Sequence, residues 1–323
     1  MKRILLVMPN YYGFDEVVND VLTKYSNCEV HFINYDVGFK YVNLFQRLKN
    51  FYSKVILKKN LKPQFKEKYF LDLVKSFDHF DYVIANRPDI LPVSLLNELK
   101  TKSNNKILLL WDSLEKVPIA HSIIGYFDKV FSFDINDCKN FKFSKIENFH
   151  FESNSSSRAV EVGHDTYDAV FLGTVDKRID DLKIILDYLK SKNKLVRAYL
   201  HIPKERNLVY KEDITILKKI VPFKYSHSFI RNCKIIIDLA HDNQTGLSFR
   251  VFEAMKFQKK LITTNRNIKN FDFYRSENIY IVDNINEINI SADFFESPYC
   301  PLPQDIYDKY SAKSWVEKIM SND

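Results

Sequence analysis

Asp238-Leu239-Ala240-His241-Asp242-Asn243-Gln244-Thr245-Gly246-Leu247-Ser248-Phe249-Arg250-Val251-Phe252-Glu253-Ala254-Met255 is the stretch on which the reading of this chain turns. The apolar run 234–239 ends here as a strand, a polar turn with one of only six glycines follows, and an amphipathic helix begins near 247. Strand, turn and helix in that order form the repeating unit of a parallel α/β sheet. The order leaves the unpaired N–H groups and positive end of the helix at the carboxyl edge of the sheet, a ready anion site. Arg250 lies one turn into the helix, with Glu253 adjacent on the same face. The arginine suits a diphosphate, and the carboxylate suits the two hydroxyls of a ribose. A helix cap with an i,i+3 Arg–Glu surface pair is the alternative.

The same alternation continues in both directions. Short apolar runs at 3–8, 30–33, 81–85, 106–111 and 128–133 are separated by helix-length segments such as 14–25, and a second series covers 167–172, 195–201, 234–239, 259–263 and 279–283, with helices at 178–190 and 247–257. Between the series, residues 152–166 concentrate small polar side chains, as a connection between domains would. The expectation is two Rossmann-like α/β domains, 1–155 and 156–303, and a final helical segment, 304–323, patterned on Ile306, Tyr310, Trp315 and Ile319. Ligands of such sheets bind at the carboxyl ends of the strands, so function belongs in the cleft between the domains.

A second loop agrees with the first. Phe171-Leu172-Gly173-Thr174-Val175-Asp176-Lys177-Arg178 closes a strand with a glycine and a threonine and sets two cations where a helix begins. Cations there oppose the helix dipole, which suggests an anionic ligand; a solvated Lys177–Arg178 pair is the alternative. For proton transfer the candidates at strand ends are Asp112, Asp134 and His241, with Asp112 the first choice as base and a helix cap the competing role. No Asp-x-Asp pair follows a strand, so no metal and no further cofactor is expected beside a bound nucleotide diphosphate.

The run Gln244 to Met255, followed by Lys259-Lys260-Leu261-Ile262-Thr263-Thr264-Asn265, resembles the donor-binding region of GT-B glycosyltransferases. It is closer still to the bacterial capsule and lipopolysaccharide proteins of the CgeB-like group. Met8-Pro9-Asn10-Tyr11-Tyr12-Gly13, Trp111-Asp112-Ser113 and Phe131-Ser132-Phe133-Asp134 extend the likeness over nearly the whole chain. The resemblance implies two Rossmann-like domains facing across a cleft, with a C-terminal helix crossing back. A nucleotide sugar, UDP-linked, would be held through Gly173, Thr174, Lys177, Arg178, Gln244, Gly246, Leu247, Arg250 and Glu253, and a glycan or lipid-linked glycan acceptor would meet Asn10, Tyr12, Gly13 and Asp134. One position departs from the retaining pattern of two glutamates eight residues apart: Thr245 stands eight before Glu253. A hexosyltransferase for a surface polysaccharide is the expectation. A nucleotide-sugar epimerase and a non-catalytic nucleotide- or glycan-binding partner in polysaccharide assembly are the alternatives.

Charge narrows the partners. The chain carries +7, but residues 40–75 alone hold ten Lys/Arg against two acids, a local +8 that leaves the remainder at −1. One basic segment on a balanced molecule argues against a nucleic-acid-binding face. Within it Tyr41, Leu44, Phe45, Leu48, Phe51, Tyr52, Val55 and Ile56 follow helical spacing, with Arg47, Lys49, Lys54 and Lys58 largely off that stripe. Such a helix suits an anionic membrane surface; the alternative is a helix packed on its own domain with a solvated lysine face. Four cysteines without metal-ligand spacing, a short N-terminal apolar run and no membrane-length segment lead to an expected cytoplasmic location, peripheral on the inner membrane face.

Overall fold

The structure, a computed structural model, describes all residues except Tyr11, Gly38, 118–120, 153–165, Val175, 203–211, 242–244 and 322–323, with backbone alone for 121 and 122. Nearly all of the polar connection 152–166, and Gln244 of the donor loop, lie outside the described residues.

In the first half β1 (Lys2–Met8), α1 (Phe14–Tyr25), β2 (Cys28–Asn34), α2 (Leu44–Ile56), α3 (Lys62–Ser76), β3 (Tyr82–Asn86), α4 (Val93–Lys102), β4 (Lys106–Leu110), α5 (His121–Ile124), β5 (Lys129–Ser132), α6 (Ile135–Phe141) and β6 (Ser144–Lys145) build a sheet of order β2-β1-β3-β4-β5-β6. In the second, β7 (Tyr167–Thr174), α7 (Ile179–Ser191), β8 (Val196–His201), β9 (Ile214–Leu217), α8 (His227–Ile230), β10 (Cys233–Asp238), α9 (Phe249–Lys256), β11 (Lys260–Thr263) and β12 (Ile279–Ile281) give the order β12-β11-β10-β7-β8-β9. All strand pairs in both sheets are parallel. The chain closes with α10 (Ala292–Glu296), α11 (Gln304–Lys309) and α12 (Ala312–Met320).

The strands read as unbroken apolar runs because each sheet is covered on both faces. Along β1, Ile4, Leu6 and Met8 pack under α1, while the alternate Leu5 and Val7 pack under α3 and α4. In β10, Ile236 goes to one face and Ile235 and Ile237 to the other. Helix α1 turns Val17, Val18, Val21 and Leu22 inward, with Asp15 and Glu16 in its first turn and Lys24 in its last, as the helix dipole favours.

The segment 304–321, continuous in its spacing, is two helices. The break falls at Tyr310, buried in the core of the second half, and Ser311, whose side chain caps α12. Beyond it Trp315, Val316 and Ile319 join Val18 and Leu22 in the core of the first half. His150 donates its N–H to Tyr310 O and accepts from Ala312 N, at 2.9 Å each, and pins that crossing.

Helix α2 departs from the alternative of a helix whose apolar stripe packs on its own domain. Its apolar stripe does not face the core: Leu44, Phe45, Leu48, Phe51, Val55 and Ile56 are 58–75% exposed, whereas Asn50 and Ser53 are buried. The cause is polar anchoring. Asn50 donates to Tyr41 Oη and accepts from Leu61 N, and Ser53 donates to Lys59 O. No helix among the described residues is long and apolar enough to cross a membrane.

Candidate active site

A cleft of about 590 Å³ opens at the carboxyl edges of both sheets, and an adjoining recess of about 170 Å³ runs behind Gly246. The register sets the wall of the second half: Thr174 at the end of β7 pairs with His201 at the end of β8, which pairs with Leu217 at the end of β9, so three strands stop level with one another. The loop after β10 brings His241 to the same wall, and β4 delivers Trp111 and Asp112 from the opposite side.

Aromatic rings from both halves close the base of the cleft. Phe14 lies 4.2 Å from Phe223 and 4.1 Å from Phe249, centroid to centroid, and 5.6 Å from Trp111. Phe249 opens α9, so the first turn of that helix is clamped by Phe14 and Trp111 of the first half. Polar contacts reinforce the joint. Thr245 donates its N–H (3.1 Å) and hydroxyl (2.7 Å) to Asp134 Oδ2 and accepts from Ile135 N at 2.9 Å. Asn148 donates to Leu247 O, and Phe223 N donates to Tyr12 O.

Of the donor residues expected from sequence, Gly173, Thr174, Arg178, Leu247 and Arg250 line the cleft, and Gly246 lines the recess. Ser248 caps α9, accepting from Arg250 N while donating to Asp238 Oδ1 at 2.7 Å, so the helix starts at 249 rather than 247. Asp238 Oδ2 also accepts from Thr263, which ties the end of β10 to β11. Gly246 has a second reason to be glycine: a Cβ there would sit 1.9 Å from the Phe133 ring of the first half.

Two donor residues fall elsewhere. Lys177 is exposed and outside the cleft lining. Glu253 points away from the cleft, buried against Ser226 and bound by Arg250. Burial pushes its carboxyl up, and Arg250 and Ser226 oppose that. The Arg–Glu pair therefore exists, as a buried strut rather than a surface pair, and the Glu253 carboxylate is not in the cleft to take the ribose role.

On the acceptor side Tyr12 lines the cleft, whereas Asn10 is exposed and its Oδ1 accepts from Gly13 N at 3.4 Å. Gly13 adopts φ +77° and packs on Pro222, where a Cβ would come within 2.9 Å. Asp134, 1% exposed, caps α6 through Asn136 N and Asp137 N and spends its other oxygen on Thr245. It holds the two halves together and does not line the cleft.

Asp112 and His241 both line the cleft. Asp112 is buried and salt-bridged to Lys116 at 2.5 Å. His241 is held below the ordinary histidine value, first by burial and then by the Arg178 and Lys116 cations, with Asp176 and Asp112 opposing. Burial and those cations disfavour the charged imidazolium, which leaves the imidazole free to act as a proton acceptor. Asp176, a cleft residue unmarked in the sequence, grips the Arg178 guanidinium at 2.9 Å and 3.0 Å; burial would raise its carboxyl, but the hydrogen bonds from Arg178 outweigh that and lower it. Arg178 also donates to Leu239 O, which fixes the loop after β10. His201, Lys116 and the ring of Phe249 are further lining residues that sequence reasoning missed. His201 was detectable as the last residue of an apolar run, and Lys116 as the i+4 partner of Asp112. In sum the cleft lining carries Lys116, Arg178 and Arg250 against Asp112 and Asp176, together with the imidazoles of His201 and His241.

No protein-family model matches the chain, and no curated protein matches it in sequence. Solved structures do match in shape. An alpha-glucosyltransferase in complex with UDP and DNA is similar with a TM-score of 0.54 at 13% identity, over 100% of this chain and 91% of that one. The lipopolysaccharide outer core galactosyltransferase WaaB gives 0.51 at 13% identity, over 98% and 97%. A UDP-GlcNAc 2-epimerase from Methanocaldococcus jannaschii gives 0.50 at 11% identity, over 98% of each. Two six-stranded parallel sheets facing across a cleft, with the last helix returning to the first half, give this chain the GT-B glycosyltransferase fold.

Proposed function

We propose that the protein is a glycosyltransferase that moves a sugar from a nucleoside diphosphate donor, UDP-linked, to a hydroxyl of a surface-polysaccharide or lipopolysaccharide acceptor. The finer likeness to the CgeB-like group, carried by residues 244–255, belongs to the same proposal. The observation that carries the reading is the placement of His241, its charged form disfavoured by burial, in a cleft whose cations, Arg178 and Arg250, flank the amino end of α9. The acceptor oxygen attacks the anomeric carbon, the carbon–oxygen bond to the diphosphate breaks, and the acceptor proton passes to His241 Nδ1 or Nε2. Arg178, Arg250 and the α9 N–H groups stabilise the charge that develops on the departing diphosphate. His241 is preferred to Asp112 as the base because the Asp112 carboxylate is already engaged by Lys116. Asp112, across the cleft, would orient the acceptor.

His241→Ala should lower turnover about 10²- to 10⁴-fold while leaving nucleotide binding intact. Slow donor hydrolysis without acceptor identifies a transferase. Near-normal turnover in this variant would sink the role of His241, inversion at the sugar without transfer would make the protein an epimerase, and tight nucleotide binding with no turnover would make it a binding partner. The cations supply the charge that a metal supplies elsewhere, so EDTA should leave the rate unchanged. Activity lost in EDTA and restored by Mg²⁺ or Mn²⁺ overturns that part.

A further inference from the structure

Helix α2 is built inside out for a helix on a folded domain. Its apolar side chains recur at 44, 45, 48, 51, 52, 55 and 56, one continuous stripe at 3.6 residues per turn, and all of them are exposed. Its inward residues are polar, Asn50 and Ser53, and their hydrogen bonds to the turns on either side hold the helix in this orientation rather than letting it roll. Exposed apolar stripes of this size mark a surface that something covers.

Charge says what. No acidic residue lies between Asp36 and Glu67, while Lys40, Arg47, Lys49, Lys54, Lys58, Lys59, Lys62 and Lys66 fall in that interval. At 100° per residue Lys49 falls on one flank of the stripe and Arg47 and Lys54 on the other. A second copy of the chain meeting this face would bring two such basic rims together. An apolar stripe between basic flanks is complementary to acyl chains below a layer of phosphates.

We propose that α2 lies in the surface of a membrane containing anionic lipid, with Leu44, Leu48, Phe51 and Val55 at the acyl boundary and Arg47, Lys49 and Lys54 against the headgroups. The surface stands apart from the donor chemistry, so it holds or fails independently of the transferase reading. Because α2 follows the carboxyl end of β2, the bilayer would lie on the side of the molecule toward which the first sheet directs its strands.

The test is flotation of the full chain with vesicles of phosphatidylcholine alone and of phosphatidylcholine mixed with phosphatidylglycerol. Binding to the mixed vesicles only is expected, weakened by high salt. Leu48→Ser with Phe51→Ser should abolish it with an unchanged melting curve, since both side chains are exposed. Lys49→Gln and Lys54→Gln should each weaken partitioning about fivefold. Absence of binding to the mixed vesicles, equal binding to phosphatidylcholine alone, or full binding by the serine variant overturns the proposal. So does a dimer in light scattering that the serine variant disperses, because a second copy would then be the occupant.

Discussion

Helices α2 and α9 are both amphipathic, and the fold treats them in opposite ways. Helix α9 buries Val251, Phe252, Ala254 and Met255 beneath the second sheet and even buries Glu253, leaving its first turn at the cleft. Helix α2 buries Asn50 and Ser53 and leaves its apolar stripe in solvent. The contrast teaches that amphipathic spacing locates an apolar face without saying what that face meets. For α9 the meeting surface is supplied by the chain itself, through the sheet and through Phe14 and Trp111 of the other half. For α2 the chain supplies polar anchors on the inner side and, among the described residues, nothing over the outer one.

Truncating one phenylalanine on each helix is the strongest way to break this comparison. Phe252→Ala, at a fully buried position, should cost about 3–5 kcal/mol in urea denaturation, and Phe51→Ala, 66% exposed, no more than about 0.5 kcal/mol. Equal costs would mean that the stripe of α2 is covered by the chain after all.

A smaller effect is expected at the joint that feeds α9. Gly246→Ala drives a methyl into the Phe133 ring, itself buried between the halves, and should destabilise by about 1–3 kcal/mol. A neutral result would show that the loop yields there, and that the interface holds α9 less tightly than its contacts indicate.

The smallest effect is on pH dependence. His241 lies below its ordinary 6.5, so just under that pH the folded chain binds fewer protons than the unfolded one, and stability falls as pH drops through the interval. The acid limb of kcat/KM should accordingly lie below pH 6.5. Lys116→Met removes one of the cations responsible and should move the limb upward, while Lys49→Gln on α2 should leave it in place. A limb that ignores Lys116 would detach His241 from catalysis.

The parallel alternation was legible because buried strands of a doubly covered sheet must be apolar throughout, and β1, β4 and β10 are. The two-residue β6, Ser144–Lys145, carried no apolar residue, and β9, Ile214–Leu217, though mostly apolar, was too short an edge strand to stand out. At the cleft, Gly173, Thr174, Arg178, Arg250, Asp112 and His241 could be found because they stand at strand ends or in the first turn of a helix. Glu253 was misread because an i,i+3 spacing shows that two side chains can meet and cannot show which way the pair turns. Asp134 was misread for a related reason: a carboxylate after a strand can cap, bridge or catalyse, and here one oxygen caps α6 while the other is taken by Thr245, 111 residues away along the chain.

Sequence alone determined the fold class, the anion-ready start of α9 and the concentration of the whole net charge in one segment, since each depends on local order and composition. Tertiary structure alone decided which residues share the cleft, the lowered proton affinity of His241 under burial and beside the Arg178 and Lys116 cations, and the outward stripe of α2. Those outcomes depend on which surfaces meet, and burial, pairing and ionisation follow from that meeting rather than from spacing along the chain.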